Sequence, residues 1–133
     1  MNNKEIRWKQ RFNNFEAAFN KLSQAVEKIN KLDDLSKEGL IQRFEYTFEL
    51  AWKTLKDFIE SKGEIVKFPR EAIKKAFQAN LINNGEIWLE MLDKRNLMSH
   101  IYDEKEFNNI IQLIGKNYFN ELKQFYNDFK NEK

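Results

Sequence analysis

Five polar side chains crowd one short stretch: Arg95, Asn96, Ser99, His100 and Tyr102. His100 is the only histidine in the chain. A guanidinium suits phosphate because its planar fork donates two parallel hydrogen bonds. An imidazole takes up and returns a proton near neutral pH. Together they form a minimal set for cutting RNA without a metal. His100 would deprotonate the 2′-hydroxyl or protonate the leaving oxygen, and Arg95 would hold the charged phosphorane. The same residue types at a helix end also cap carbonyls and form surface ion pairs, so the pattern by itself leaves a structural role open.

Geometry bears on the choice. At about 100° per residue, Arg95, Ser99 and Tyr102 share one side of a helix if that helix runs on through Tyr102. Trp88 lies on the same side, and Asn96 and His100 are i,i+4 neighbours on the next strip.

Other chemistries lack their residues. No spacing of His, Asp and Glu forms a recognisable metal site, and there is no cysteine. A Gly-rich phosphate loop and a Walker pattern are absent, as is the Gly-Ser dipeptide of a nucleotidyltransferase core. The chain is therefore not expected to transfer nucleotides itself, and no metal or cofactor is expected. Glu86, Glu90 and Asp93 read as a solvated face.

The elements that must position these groups are helices. Apolar residues at Trp8, Phe12, Phe15, Phe19, Leu22, Val26 and Ile29 alternate by four and three, which predicts a helix from about Lys4 to Asn30. A second stripe runs from Ile41 to Ile59, with Ser36 as its expected N-cap, Gly63 just past its end, and the pairs Glu49–Lys53 and Lys53–Asp57 on its outer face. Glu64 to Phe68 reads as a connector. Pro69 opens a third helix, and Asn83-Asn84-Gly85 is a turn before a fourth. Asp103 and Glu106 read as a capping box for a fifth helix, which carries Phe107, Ile110, Ile111, Ile114, Tyr118, Leu122, Phe125 and Phe129. Trp8, Trp52 and Trp88 sit at core spacing.

The expected fold is all-α: an up-and-down antiparallel bundle of four to five helices, with residues 1–133 as one domain. Twelve phenylalanines and three tryptophans in 133 residues give wide aromatic stripes, so a homodimer is expected to cover part of them. Charge is balanced at 23 basic against 21 acidic residues, which excludes a strongly basic coating protein but allows a local basic cleft. Residues 1–11 are polar and charged, without the apolar core of a signal peptide, and no stretch is long and apolar enough for a membrane span. A cytoplasmic setting is expected.

Arg95 to His100 fits the Arg-x4–6-His pattern of HEPN domains, and Arg95 to Tyr102 fits the longer Arg-x4-His-x-Tyr form of the HepT-like branch. Residues 39–53, Gly-Leu-Ile-Gln-Arg-Phe-Glu-Tyr-Thr-Phe-Glu-Leu-Ala-Trp-Lys, resemble the second helix of the nucleotidyltransferase substrate-binding family. Residues 69–73 and 85–88 are similar to its next two segments, so the resemblance spans about Trp8 to Phe125. Phe68 departs from it, standing where a capping Ser is usual. The resemblance implies a dimeric bundle whose Arg–His motifs face a shared cleft, and a separate minimal nucleotidyltransferase as partner. In the toxin–antitoxin version the bundle is an RNase. Arg95 then binds the scissile phosphate, His100 is general acid or base, and Asn96 and Ser99 support them. Tyr102 is the residue the partner silences by AMPylation. In the older version the bundle binds a nucleotide or other substrate and presents it to the nucleotidyltransferase.

Overall fold

The computed structural model describes residues 2–132. Its helices are α1 (Asn3–Glu27), α2 (Asp34–Ser61), α3 (Pro69–Gln78), α4 (Gly85–Leu97), α5 (Glu104–Leu113) and α6 (Phe119–Phe129). There is no strand among the described residues. A π turn, Ile114–Tyr118, joins α5 to α6, so the two run on as one rod. This is the all-α bundle that the 3–4 spacing predicts.

Local signals set the ends. Asp33, three residues before the expected Ser36, is the cap of α2: its side chain accepts from the Ser36 N–H at 2.7 Å. The shorter reach and the acidic charge at a helix N-terminus favour it. Gly63 follows α2 with φ of 102°, a left-handed conformation open to glycine at little cost. Pro69 takes the first turn of α3, and Phe68 before it makes no side-chain cap, as its departure from the family pattern implies. Asp103 caps α5 by accepting from the Lys105 N–H at 2.9 Å.

Cross-helix contacts fix the directions. Arg11 reaches Asp57, Arg43 reaches the Lys21 carbonyl and Lys62 reaches Glu5, so α1 and α2 are antiparallel. Trp8 meets Phe129, Phe12 meets Phe125 and Phe19 meets Phe119, so α1 and α6 are antiparallel too. The core is a chain of aromatic contacts along this seam, in edge-on and stacked geometries that add to the area buried. Trp8, Trp52 and Trp88 are all buried, as their spacing predicts. The Trp52 indole N–H is the one buried polar side-chain atom among the described residues with no partner.

One outer-face expectation fails. Asp57 is 2% exposed and pairs with Arg11 at 3.1 Å, with Lys56 next at 4.0 Å. It does not pair with Lys53, which lies 3.6 Å from Glu49 instead. The wide apolar stripe of α2 carries Asp57 inward, where a buried carboxylate must find a cation.

No helix among the described residues is long and apolar enough to cross a membrane.

Candidate functional site

The helix carrying Arg95 stops sooner than one-sided grouping requires. Leu97 ends α4, a 3-10 turn covers Met98–His100, and Ile101 is extended. The cause lies downstream. Asp103 needs an extended backbone to cap α5, and Ser99 and His100 are weak helix formers. Tyr102 therefore lies beyond the turn rather than on the Arg95 face.

Arg95 follows Trp88 by seven residues, so it rises from the packed side of α4. Its guanidinium is mostly covered and pairs with the carboxylate of Glu49 on α2. A second nitrogen donates to the Asn96 side-chain oxygen at 3.0 Å. Glu45, one turn before Glu49, adds a second carboxylate nearby. Burial pushes its carboxyl above the usual range, and the Arg95 charge draws it part of the way back. Arg95 is thus clamped between α2 and Asn96, with its charge partly balanced in advance.

His100 and Tyr102 are placed differently. His100 is exposed and lines a groove of about 420 Å³ with Lys94, Leu97, Glu106 and Asn109. Arg95 is not among the residues lining that groove. Tyr102 is 89% exposed, and its hydroxyl makes no hydrogen bond among the described residues. Asn96 and Ser99 are exposed as well. Within one chain, Arg95 and Asn96 meet, and His100 opens on a separate groove.

Sequence reading missed Glu49 as the partner of Arg95, having given it to Lys53 alone. The signal available was weak: two carboxylates, Glu45 and Glu49, one turn apart beside the aromatic stripe of α2. It also placed Glu90 on a solvated face. Instead, Glu90 accepts from the Tyr118 hydroxyl at 2.5 Å, and burial, then this bond, push the phenol pKa up. The π turn ends at Tyr118, at this contact. Among the described residues, no group of three or more His, Asp or Glu side chains is arranged to hold a metal ion.

The raised Glu45 carboxyl gives a pH-dependent expectation. In the unfolded chain it titrates near its ordinary value of 4.5, and in the fold it holds its proton to higher pH. The folded state therefore binds more protons across that interval, and stability falls as pH rises through it. Above the folded value the whole burial penalty is felt. Glu45→Gln should then melt higher than the parent at pH 7, and that advantage should shrink as pH falls towards 4. Thermal melts of both proteins across this range check it; an equal or lower melting point at pH 7 would show that attraction to Arg95 outweighs burial.

Over residues 10–131 the chain matches the family described as nucleotidyltransferase substrate binding protein like. A Haemophilus influenzae protein named "Probable ribonuclease HepT" is 28% identical over 109 residues, covering 71% of this chain and 75% of that protein. A Thermus thermophilus protein solved by crystallography is 28% identical, with a TM-score of 0.76 over 86% of this chain and 97% of its own.

Proposed function

Because the chain belongs to the nucleotidyltransferase substrate-binding protein family, we propose that it is the RNA-cleaving member of a pair with a minimal nucleotidyltransferase, using Arg95 and His100. The observation that carries this reading is the contrast within one eight-residue stretch. Arg95 is held rigidly by Glu49 and Asn96, whereas His100 opens onto a groove and Tyr102 stands free. The name of the Haemophilus influenzae relative adds support.

In the proposed reaction a His100 imidazole takes the 2′-hydroxyl proton. The 2′-oxygen attacks the adjacent phosphorus and the 5′-oxygen leaves, accepting a proton from a second imidazole. The products are a 2′,3′-cyclic phosphate and a 5′-hydroxyl. Arg95 neutralises the charge that builds on the phosphorane oxygens. One chain has one histidine, so two-proton chemistry favours a two-fold dimer in which the partner's His100 supplies the second proton. The exposed Leu97 beside the motif suits such a contact. Asn96 and Ser99 support the site.

Tyr102 is proposed as the control point. Its hydroxyl is exposed and unbonded, open to take AMP from ATP with pyrophosphate leaving, and the added group would place a phosphate and a bulky base beside the groove. The test is cleavage of total tRNA by the purified, unmodified protein without divalent metal, with intact mass measured in parallel. Cleavage that stops when one AMP unit appears on Tyr102 is the expected result. Intact tRNA with unmodified protein would instead favour a subunit that binds a nucleotide or other substrate for the nucleotidyltransferase.

A further inference from the structure

Two grooves flank α3: the first includes Gly85, roughly 15 Å from Arg95 along α4 at about 1.5 Å for each of ten residues, and the second includes Arg70, which pairs with Asp93 two residues before Arg95. The first, about 420 Å³, lies between α3 and the start of α4, with Phe77, Asn83 and Gly85 in its lining. The second, about 480 Å³, includes Phe68 and Arg70. Lys74 and Gln78 line both. Each groove also contains a large exposed aromatic ring: Phe77 is 49% exposed and Phe68 66%. Phe77 is braced from behind, because Gly85 approaches its ring so closely that a Cβ there would lie 3.0 Å away.

The charges on α3 differ in their freedom. Arg70 is held by Asp93 at 2.5 Å, and Lys75 by Glu64 at 3.6 Å. Lys74, on the ridge between the grooves, makes no ion pair among the described residues. The side-chain amides of Gln78 and Asn83 can each donate and accept.

We propose that the outer face of α3 is a second RNA contact, a stacking platform for single-stranded RNA. A base lies on Phe77 and another on Phe68, Lys74 meets the phosphate between them, and Gln78 and Asn83 meet base edges. Phe68 and Phe77 are nine residues apart, too far for one base to touch both, so a strand rather than a lone nucleotide spans them. An acidic protein segment would use the cation but has no need of two separate rings flanked by amides. Glu71 and Glu86, at the groove edges, repel phosphate and confine it to the Lys74 ridge. The proposal rests on RNA being the substrate, and gives the protein a second hold on the strand that runs along α3 from the Arg70 end, beside Asp93, to Phe77.

The test is fluorescence polarisation of a labelled, unstructured RNA of about ten nucleotides, in a His100→Ala background that prevents cutting. Lys74→Glu and Phe77→Ala should each weaken binding roughly tenfold, the scale of losing one stacked base or its phosphate contact. Both positions are exposed, and a melting point within a few degrees of the parent confirms folding. Affinity unchanged in both variants overturns the proposal, as does an absence of RNA binding in the parent. Loss confined to an Arg95→Ala variant would also overturn it. Wild-type tRNA cleavage is scored separately: the platform fails on unchanged affinity even if tRNA is cut, and the nuclease reading fails on uncut tRNA even if binding depends on Lys74 and Phe77.

Discussion

His100→Ala is expected to lower tRNA cleavage by roughly 10²- to 10⁴-fold, the usual contribution of a general acid–base group. Because one residue type serves both proton transfers in the proposed dimer, the loss should lie towards the upper end. Arg95→Ala should cost roughly 10²- to 10³-fold, the scale of removing one donor that stabilises a developing oxyanion. Arg95→Lys should recover little, since a single ammonium cannot reproduce the fork that Glu49 and Asn96 hold in place. Tyr102→Phe should cut normally and escape silencing, because the proposal makes the exposed hydroxyl the acceptor and gives it no part in the chemistry. The measurement is initial cleavage rate at equal protein concentration, with circular dichroism to show that each variant is folded. Equal rates for His100→Ala and the parent would remove His100 from the reaction.

The largest effect on stability is expected at Phe125. Its ring lies 4.6 Å from Phe129, 5.0 Å from Phe15, 5.6 Å from Trp88 and 6.3 Å from Phe12, measured between ring centres. It therefore joins α1, α4 and α6 at one point. Four rings cannot collapse into the space that its removal leaves, so Phe125→Ala should cost about 3–5 kcal/mol. For a chain of this length that corresponds to a melting-point fall of roughly 10–20 °C. Against a total stability of about 5–15 kcal/mol that is a loss of at least a fifth. Phe77→Ala, at an exposed ring, should shift the melting point by only a few degrees. Differential scanning calorimetry of the two variants checks the contrast; similar losses would mean that exposure on this bundle does not report packing.

The bundle was legible in the sequence because its stripes are nearly unbroken. In α1 the spacing of four and three never fails from Trp8 to Val26, and only a helix gathers that set on one side. The motif was legible as residue types. What escaped was pairing between helices. Asp57 with Arg11 and Arg95 with Glu49 each join residues 46 positions apart, and no local pattern chooses between such a partner and an i,i+4 lysine. The one-sided grouping of Arg95, Ser99 and Tyr102 failed because competing local signals met. A helix that could have continued yielded to the extended backbone Asp103 needs as a cap.

The π turn has a consequence for heredity. It fits five residues, Ile114–Tyr118, where the rod needs about one fewer to complete an α turn. Elsewhere in these helices, losing a codon would rotate everything downstream by about 100° and turn the aromatic stripe away from α1. Here, losing Lys116 or Asn117, both exposed, would tighten the turn into ordinary helix and leave Leu122, Phe125 and Phe129 facing as before. The rod thus carries a spare residue, and it is at this point that relatives differing in length by one should gain or lose it.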